Sequence, residues 1–178
     1  DIVKRQKLPI PPRSLDDLLI LIPGLTRTRS ITAEILRVLL DRTAKQCTWC
    51  GQQVGKGRSR WCGDQCVEEF KLRCSPQHQV AHVIKRDKGI CRACGRDTIE
   101  SERQYRIAIR DIHQVDRSEV VVLNLKHTYG YGRGQWREVD HETPVVLGGG
   151  LCRIENLRLL CGVCHAGHTK RLAGRTRP

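Results

Sequence analysis

The sequence predicts an α+β protein with a mainly helical N-terminal part and a mixed C-terminal part, each built around a cysteine cluster. Ten of the 178 residues are cysteines, whereas only seven are aromatic (three Trp, three Tyr and one Phe). A chain of this length forms one medium domain or two small ones. Because large rings are scarce, we expect the cysteine clusters to supply much of the stability.

The cysteines are spaced as metal ligands rather than as disulfide partners. Eight of them form three C-x-x-C pairs and one C-x-x-x-C pair. Two thiolates from one tight turn can reach the same ion, since zinc prefers a tetrahedral site with Zn–S bonds of ~2.3 Å. Two structural Zn²⁺ sites are predicted, although sequence alone leaves swapped pairings open: Cys47, Cys50, Cys62 and Cys66 in one, and Cys91, Cys94, Cys161 and Cys164 in the other.

Two cysteines and the charge of the chain bear on its compartment and partners. Cys74 and Cys152 are left over and are interpreted as small apolar residues. The formal net charge is +13, spread over all four quarters of the chain. This charge favours a polyanion, and nucleic acid is the commonest one. The close cysteine pairs argue against a secreted disulfide protein, so we expect a bacterial cytoplasmic or a nuclear location.

The N-terminal half divides into two predicted parts. Residues 1–29 form a basic, proline-rich arm followed by a short helix that Ser14 caps and that runs through Ile22. Residues 30–88 form a helical segment that contains the first zinc module. Its helices are predicted from Ser30 to about Lys45, with Ile31, Ile35, Val38 and Leu39 on one face, from Asp64 to about Arg73, and from Ser75 to Gly89.

The third predicted part, residues 89–178, mixes helices and strands. A polar helix is predicted over 101–113, and the β-branched run Glu119–Leu125 predicts a strand. Further along come a loop at 130–134, a short strand Trp136–Glu142, a glycine turn at 148–150, a short element at 156–160 and a closing helix His165–Leu172. No apolar run approaches the ~18 residues of a membrane helix, so no membrane association is expected.

One stretch of this third part carries a recognisable constellation. It reads Asp140-His141, Pro144, a glycine-rich turn, Asn156-Leu157, and then Cys161-x-x-Cys164-His165. This combination, with the upstream Cys91-x-x-Cys94, resembles the HNH endonuclease family. Further matches resemble one subfamily, found in bacterial nucleases and at the C-terminus of a SWI/SNF-type annealing helicase that is also an endonuclease: Trp61-Cys62-x-x-x-Cys66-x-Glu68-x-Phe70, Arg86-Asp87-Lys88-Gly-Ile-Cys91 and Gly148-Gly-Gly-x-Cys152.

The resemblance implies a fold, an activity and residue roles. The fold is a small, zinc-stabilised, treble-clef-like ββα-metal domain, and the activity is hydrolysis of phosphodiester bonds at a single site. Asp140 and His165 match the ligands of a divalent catalytic metal, for which Mg²⁺ or Mn²⁺ is favoured. His141 matches the general base, and Asn156 matches the residue that orients the base or fixes its loop.

Five basic residues are predicted to contact DNA. His168 stands where the subfamily usually has Arg or Lys, although a role as a third metal ligand stays open because it shares a helix face with His165. The others lie mainly in the basic C-terminal run: Lys170, Arg171, Arg175 and, on the predicted strand, Arg137. The expected partner is double-stranded or branched DNA, together with a fused or associated helicase-like component.

Several alternatives remain at this point. His78-Gln-Val-Ala-His82 resembles a zinc protease motif but lacks its Glu, so we interpret it as a basic helix face. Tyr129, Tyr131 and Trp136 could face DNA or pack at the end of a hairpin. A non-catalytic zinc module that binds DNA or protein is the alternative function, and an RNA nuclease is the second. Because the chain starts with Asp and contains no Met, we expect a piece of a larger protein.

Overall fold

The computed structural model describes residues 13–112 and 118–176. The predicted arm at 1–12, His113, Arg177 and the side chain of Arg175 lie outside this description. In chain order the helices and strands are α1 (Leu15–Leu21), α2 (Ala33–Leu39), α3 (Asp64–Cys74), α4 (Pro76–Arg86), α5 (Thr98–Ile112), α6 (Glu119–Thr128), β1 (Arg137–His141), β2 (Leu157–Cys161) and α7 (Gly162–Thr176). None of these helices is long and apolar enough to cross a membrane.

The two strands and the last helix form one ββα element. β1 and β2 pair antiparallel over their full lengths, and α7 packs against both strands. Short 3-10 turns at Val145–Leu147 and Ile154–Asn156 lie in the connection between the strands. The predicted α+β class is therefore confirmed, with a sheet of two strands among the described residues.

The chain forms two compact units. The first, the N-terminal unit, runs to Gln79 and also contains Thr143–Ile154, and the second, the C-terminal unit, comprises Val80–Glu142 and the residues from Glu155 onward. The three-part division with boundaries after residues 29 and 88 stays a prediction. The predicted division assigns the β1–β2 connection to the same part as the two strands, whereas the structure assigns Thr143–Ile154 to the N-terminal unit.

A leucine-rich core holds the N-terminal unit together. Its fully buried leucines are Leu18 of α1, Leu36 of α2 and Leu151 of the β1–β2 connection. Cys74, at the end of α3, packs with them. The helix predicted from Ser14 is confirmed. The Ser14 hydroxyl accepts a hydrogen bond from the backbone N–H of Asp17, whose carboxylate accepts one from the N–H of Ser14, so both partners of a capping box are present.

The helix predicted from Ser30 to about Lys45 is shorter, and its predicted core face was wrong in part. Thr32, not Ser30, caps the helix by accepting a hydrogen bond from the N–H of Ile35. Asp41, in the left-handed region at φ 52°, follows its C-terminal end. Ile31 is buried as expected, but Ile35 and Val38 are 49% and 67% exposed. Ala33 and Leu36 are buried in their place, and Leu39 packs against the core as expected.

The predicted strand Glu119–Leu125 is a helix. Three consecutive valines favour extended structure, but a strand requires a neighbour, and this segment packs as α6 against α5 instead. Arg96 donates a 2.8 Å hydrogen bond to the carbonyl of Thr128 and so satisfies the end of the helix. The predicted helix over 101–113 begins earlier, because Asp97 accepts hydrogen bonds from the first turn.

Aromatic rings pack together at the start of β1. The ring of Trp136 lies 4.8 Å from that of Tyr105 and 4.9 Å from that of Tyr131, and Tyr129 adds an edge contact with Tyr105. Tyr105 is only 9% exposed. These contacts favour the packed hairpin end over a DNA-facing role for the three rings that the sequence left undecided.

Candidate active site

The first metal site lies in the N-terminal unit. The Sγ atom of Cys62 is 3.4 Å from that of Cys50 and 3.5 Å from that of Cys66, and Cys47 completes the cluster. Four thiolates around a tetrahedral zinc with ~2.3 Å bonds stand about 3.8 Å apart. The cluster is therefore placed for zinc binding with the grouping that the sequence favoured.

The second metal site lies in the C-terminal unit. Cys91 and Cys94 meet Cys161, the last residue of β2, and Cys164, in the first turn of α7. The Sγ atoms of Cys94 and Cys161 are 3.9 Å apart. Swapped pairings are thereby excluded. Among the described residues, these two clusters are the groups of three or more side chains placed to hold a metal, and no cysteine forms a disulfide.

The two cysteine knuckles share one backbone design. In each, a glycine follows the second cysteine at positive φ, 78° for Gly51 and 73° for Gly95. The N–H of that glycine bonds back to the carbonyl of the first cysteine, Cys47 or Cys91. Glycine adopts this left-handed conformation without strain, so the turn can aim both thiols at one ion.

Backbone donors prepare the first thiol of each knuckle for a metal. Burial by itself would raise the pKa of the Cys47 thiol, but N–H groups of Cys50, Cys62 and Trp49 donate to the sulfur and lower its pKa to about 7. The same balance lowers the pKa of Cys91 to about 7. Since zinc binds thiolates, each cluster offers one ligand that ionises near neutrality.

Cys74 and Cys152, the two cysteines outside the C-x-x-C and C-x-x-x-C pairs, are buried or half-buried and belong to neither cluster. Cys74 is 3% exposed in the N-terminal core, and burial raises the pKa of its thiol to about 12. Cys152 is half-buried in the β1–β2 connection. Neither belongs to a group of metal-ligating side chains, so both are separate from the zinc clusters.

The strand register separates the two candidate site residues of β1. Asp140 pairs with Arg158 across the ladder, whereas His141 pairs with Leu157. Successive residues of a strand point to opposite faces, so Asp140 and His141 lie on different faces. Asp140 faces α7, since His168 of that helix contacts it. This arrangement agrees with separate roles for the two side chains.

Two basic side chains approach the same oxygen of Asp140. His168 Nδ1 lies 2.7 Å and Arg158 Nη2 lies 3.6 Å from Oδ2. Neither contact is aligned as a hydrogen bond, so Oδ2 is buried without a hydrogen-bond partner among the described residues. His168, whose role toward DNA stays a prediction, contacts the predicted metal ligand, and the sequence analysis did not identify Arg158.

His165 shows the same signature as Asp140. Its Nδ1 atom is buried and has no hydrogen-bond partner in the described part of the chain. It follows Cys164 in the first turns of α7, whose start the second cysteine cluster holds. A buried oxygen and a buried imidazole nitrogen that make no hydrogen bond in the described part of the chain are suited to an open divalent-cation site. The residues present therefore fit the catalytic metal that the family implies.

Backbone contacts hold the strands that carry these groups. The carbonyl of Asn156 accepts a 2.8 Å hydrogen bond from the N–H of Glu142, which extends the ladder past His141. Asp87 accepts a bond from the N–H of Leu159, and Arg86 donates one to the carbonyl of Leu157. The Arg-Asp pair recognised in sequence thus braces the outer edge of β2.

The start of α7 requires glycine for a reason that sequence could not show. A Cβ atom on Gly162 would lie 2.1 Å from the carbonyl oxygen of Gln135 and 2.4 Å from the nitrogen of Gly132. Contacts this short do not occur in proteins, so the loop before β1 can approach the helix only because Gly162 has no side chain. This close approach fixes the helix that carries His165.

The predicted DNA-contacting residues differ in availability. Lys170 and Arg171 are located on α7, where both side chains are exposed. Arg137 instead donates to the hydroxyl and carbonyl of Thr98 and forms an ion pair with Glu102. Its charge is therefore engaged within the C-terminal unit, and its role toward DNA stays a prediction.

Comparisons with known proteins identify relatives of this site. Residues 132–171 match the family model described as HNH endonuclease. The protein named DNA annealing helicase and endonuclease ZRANB3 is 31% identical over 140 residues in Mus musculus and 32% identical over 121 residues in Homo sapiens. These matches cover 75% and 65% of this chain, but only 12% and 11% of the relatives' length.

A solved structure is also similar to part of the chain. The crystal structure of the human ZRANB3 HNH domain is 30% identical in sequence, and the match covers 56% of this chain and 90% of that domain with a TM-score of 0.39. The sequence identity extends over most of that domain, and the family model spans β1, β2 and the first turns of α7. On this evidence the chain is a member of the HNH endonuclease family.

Proposed function

We propose that the chain is a metal-dependent DNA endonuclease with a single HNH site. The observation that carries this proposal is a pair of buried ligand atoms without a hydrogen-bond partner among the described residues, Oδ2 of Asp140 and Nδ1 of His165. They lie on β1 and α7 of a ββα element in a family of nucleases. Polar atoms that make no hydrogen bond are costly to bury unless a ligand satisfies them, and a divalent cation would satisfy both.

The side chains divide the work of hydrolysis. Asp140 and His165 hold the cation, with Mg²⁺ or Mn²⁺ favoured by the oxygen ligand. The bound cation supplies charge neutralisation at the scissile phosphate. His141 takes a proton from water as the water oxygen bonds to phosphorus. The phosphorus–oxygen bond to one sugar then breaks, and the departing sugar oxygen takes a proton from solvent. Asn156 holds the strand end that carries His141.

The polyanion is proposed to be DNA. The net charge of +13 and the basic side chains of Lys170 and Arg171 on α7 support binding to a phosphate backbone. Since the chain spans about 12% of the length of the curated relatives that it matches, we propose that it acts beside a helicase-like component. We also propose a reducing compartment, bacterial cytoplasm or nucleus, because thiolate clusters need one.

The test is a cleavage assay on supercoiled plasmid, single-stranded DNA and forked DNA, with and without EDTA. His141→Ala is expected to lose cleavage by at least ~10²–10⁴-fold while keeping metal and DNA binding. Asp140→Ala is expected to lose cleavage together with metal binding, measured by calorimetric titration with Mn²⁺. His127→Ala, on the exposed surface of α6, is the matched control and should cleave like the wild type.

Two results would overturn the proposal. Cleavage that persists in EDTA would exclude the metal site. Cleavage by His141→Ala at the wild-type rate would exclude the base. If the wild-type chain binds DNA in these assays but never cleaves it, the non-catalytic DNA-binding module replaces the nuclease, and faster cleavage of an RNA of matched sequence would assign the substrate to RNA.

A further inference from the structure

Arg158 occupies an unusual position in the β-ladder. It stands directly opposite Asp140 on β2, with its side chain 25% exposed. Its Nη2 atom is 3.6 Å from Oδ2 of Asp140, too far for a hydrogen bond. Its Nε atom is buried and has no acceptor among the described residues.

A second arginine of the same sheet shows what a structural guanidinium does here. Arg137, on β1, donates through Nε and Nη2 to Thr98 and Glu102, so that both sides of its fork are used inside the protein. The Nε atom of Arg158 has no acceptor among the described residues, and its Nη2 atom reaches only the carboxylate of Asp140, at 3.6 Å. A guanidinium stays protonated at all ordinary pH values, and a buried N–H without an acceptor is destabilising. Arg137 therefore uses its donors within the protein, whereas Arg158 retains N–H donors that a ligand could occupy.

We propose that Arg158 is a catalytic residue that binds the scissile phosphate through Nε and one Nη. This inference rests on the proposed nuclease function. Phosphate oxygens accept two parallel hydrogen bonds from one guanidinium edge, which would satisfy the buried Nε. The position opposite Asp140 places the guanidinium beside the predicted metal ligand, where the phosphate has to lie for that metal to neutralise it.

Two other roles are distinguishable by their consequences. Arg158 could hold Asp140 in place for the metal, in which case its loss would weaken metal binding. A water molecule could satisfy Nε, in which case its loss would change neither metal binding nor catalysis. A phosphate-binding arginine instead affects turnover and senses DNA, while leaving the affinity for metal alone.

The experiment compares Arg158→Gln, Arg158→Lys and a matched control, Arg103→Gln. Arg103 is a 62% exposed arginine of α5 that pairs with Glu100, away from Asp140 in sequence and element. The Nε–H resonance of Arg158 is identified in the full chain by NMR as the signal missing from Arg158→Lys. A 12-base-pair duplex is then added in buffer that contains no Mg²⁺ or Mn²⁺ and no chelator, so that the zinc clusters stay loaded and no cleavage is needed for this readout.

The expected results are a shift and slower hydrogen exchange of the Arg158 Nε–H on adding the duplex. Arg158→Gln should lower kcat by about 10²–10³-fold, as loss of a charge-stabilising donor does. Arg158→Lys should retain part of the rate, because it keeps the charge but loses the fork. Mn²⁺ affinity should stay within about threefold of wild type in all three variants, and Arg103→Gln should leave kcat unchanged.

The contrary results separate this proposal from the proposed function. If the wild type cleaves DNA but Arg158→Gln matches Arg103→Gln, the phosphate role is wrong and the nuclease stands. A tenfold loss of Mn²⁺ affinity in Arg158→Gln would overturn the phosphate role in favour of positioning Asp140. If the wild type does not cleave, the nuclease function fails, and an Nε–H signal unmoved by the duplex overturns the role of Arg158 as well.

Discussion

Replacing Arg73 with methionine tests whether one buried guanidinium secures the connection between β1 and β2. Arg73, on α3, is only 6% exposed. Its Nε donates a 3.1 Å hydrogen bond to the carbonyl of Leu151, and its Nη2 lies 2.8 Å from the carboxylate of Asp16 on α1. Arg73 thus joins three segments of the N-terminal unit that are distant in sequence.

The cost of the substitution follows from these interactions. Methionine fills the space of the arginine stem but leaves the carbonyl of the fully buried Leu151 without its donor, at roughly 1–3 kcal/mol. Loss of a buried ion pair can cost ~3–5 kcal/mol, but the Asp16 side chain is 49% exposed and water can solvate it. We therefore expect a decrease of about 2–4 kcal/mol in the free energy of unfolding.

The chain contains its own control for this experiment. Arg153 also pairs with Asp16 at 2.8 Å, but its side chain is 68% exposed. Exposed pairs contribute ~0–1 kcal/mol, so Arg153→Met should unfold within about 1 kcal/mol of the wild type. Urea denaturation of all three proteins, followed by circular dichroism, measures the difference. The reasoning is refuted if Arg73→Met is destabilised by less than about 0.5 kcal/mol, or if Arg153→Met is destabilised as much.

The pH dependence of this destabilisation gives a second check. The hydrogen bond from Arg73 holds the pKa of Asp16 below its ordinary value of 3.8, despite the opposing effect of burial. A lowered carboxyl pKa stabilises the fold at pH values above the ordinary pKa, and this contribution disappears as the pH falls through the folded-state pKa. The difference in stability between wild type and Arg73→Met should therefore be constant from about pH 6 to 8 and narrow below about pH 4.

Three further predictions concern zinc, backbone crowding and DNA affinity. Elemental analysis is expected to give two zinc ions per chain, one for each cluster. By limited proteolysis, Cys94→Ser should unfold the C-terminal unit and Cys50→Ser the N-terminal unit. A folded chain without zinc would contradict this prediction. Gly150→Ala would place a Cβ 2.2 Å from the carbonyl oxygen of Thr28, whereas a Cβ on Gly24 meets nothing within 4 Å. The first should cost roughly 1–3 kcal/mol in urea denaturation and the second much less; equal destabilisation would exclude crowding as the cause. Deleting residues 169–178 should make DNA binding less dependent on salt, with the slope falling by about 0.9 for each phosphate that these residues neutralise, and an unchanged slope in a fluorescence-anisotropy titration would show that the tail neutralises none.

Local patterns were sufficient where residues close in sequence determine the structure. The C-x-x-C spacing predicted both knuckles, and Ser14 with Asp17 predicted the start of α1, because each signal lies within one turn of chain. The same logic failed for α6, where the valine run favours a strand but the described residues offer it no partner strand. It also failed for part of the core face of α2, where Ile35 and Val38 are exposed and Leu36 is buried instead.

Contacts that depend on the strand register were beyond sequence reasoning. Arg158 is eighteen residues from Asp140 along the chain, and only the pairing of β1 with β2 places them opposite each other. The contact of His168 with Asp140 likewise needs the helix packed on the sheet. The sequence identified Asp140 and His168 by their chemistry, whereas Arg158 is identified only by its position opposite Asp140 in the ladder.

The packing of the β1–β2 connection limits where the chain can be truncated. The segment that matches the family, residues 132–171, contains Leu151, and Leu151 is 1% exposed because it packs in the core that α1, α2 and the end of α3 build. Expressed alone, this segment would present that leucine and its glycine turn to water, with no chain to cover them. The boundaries by which the family is recognised therefore cut through this core, and a fragment that keeps Leu151 covered has to include α1, α2 and the end of α3.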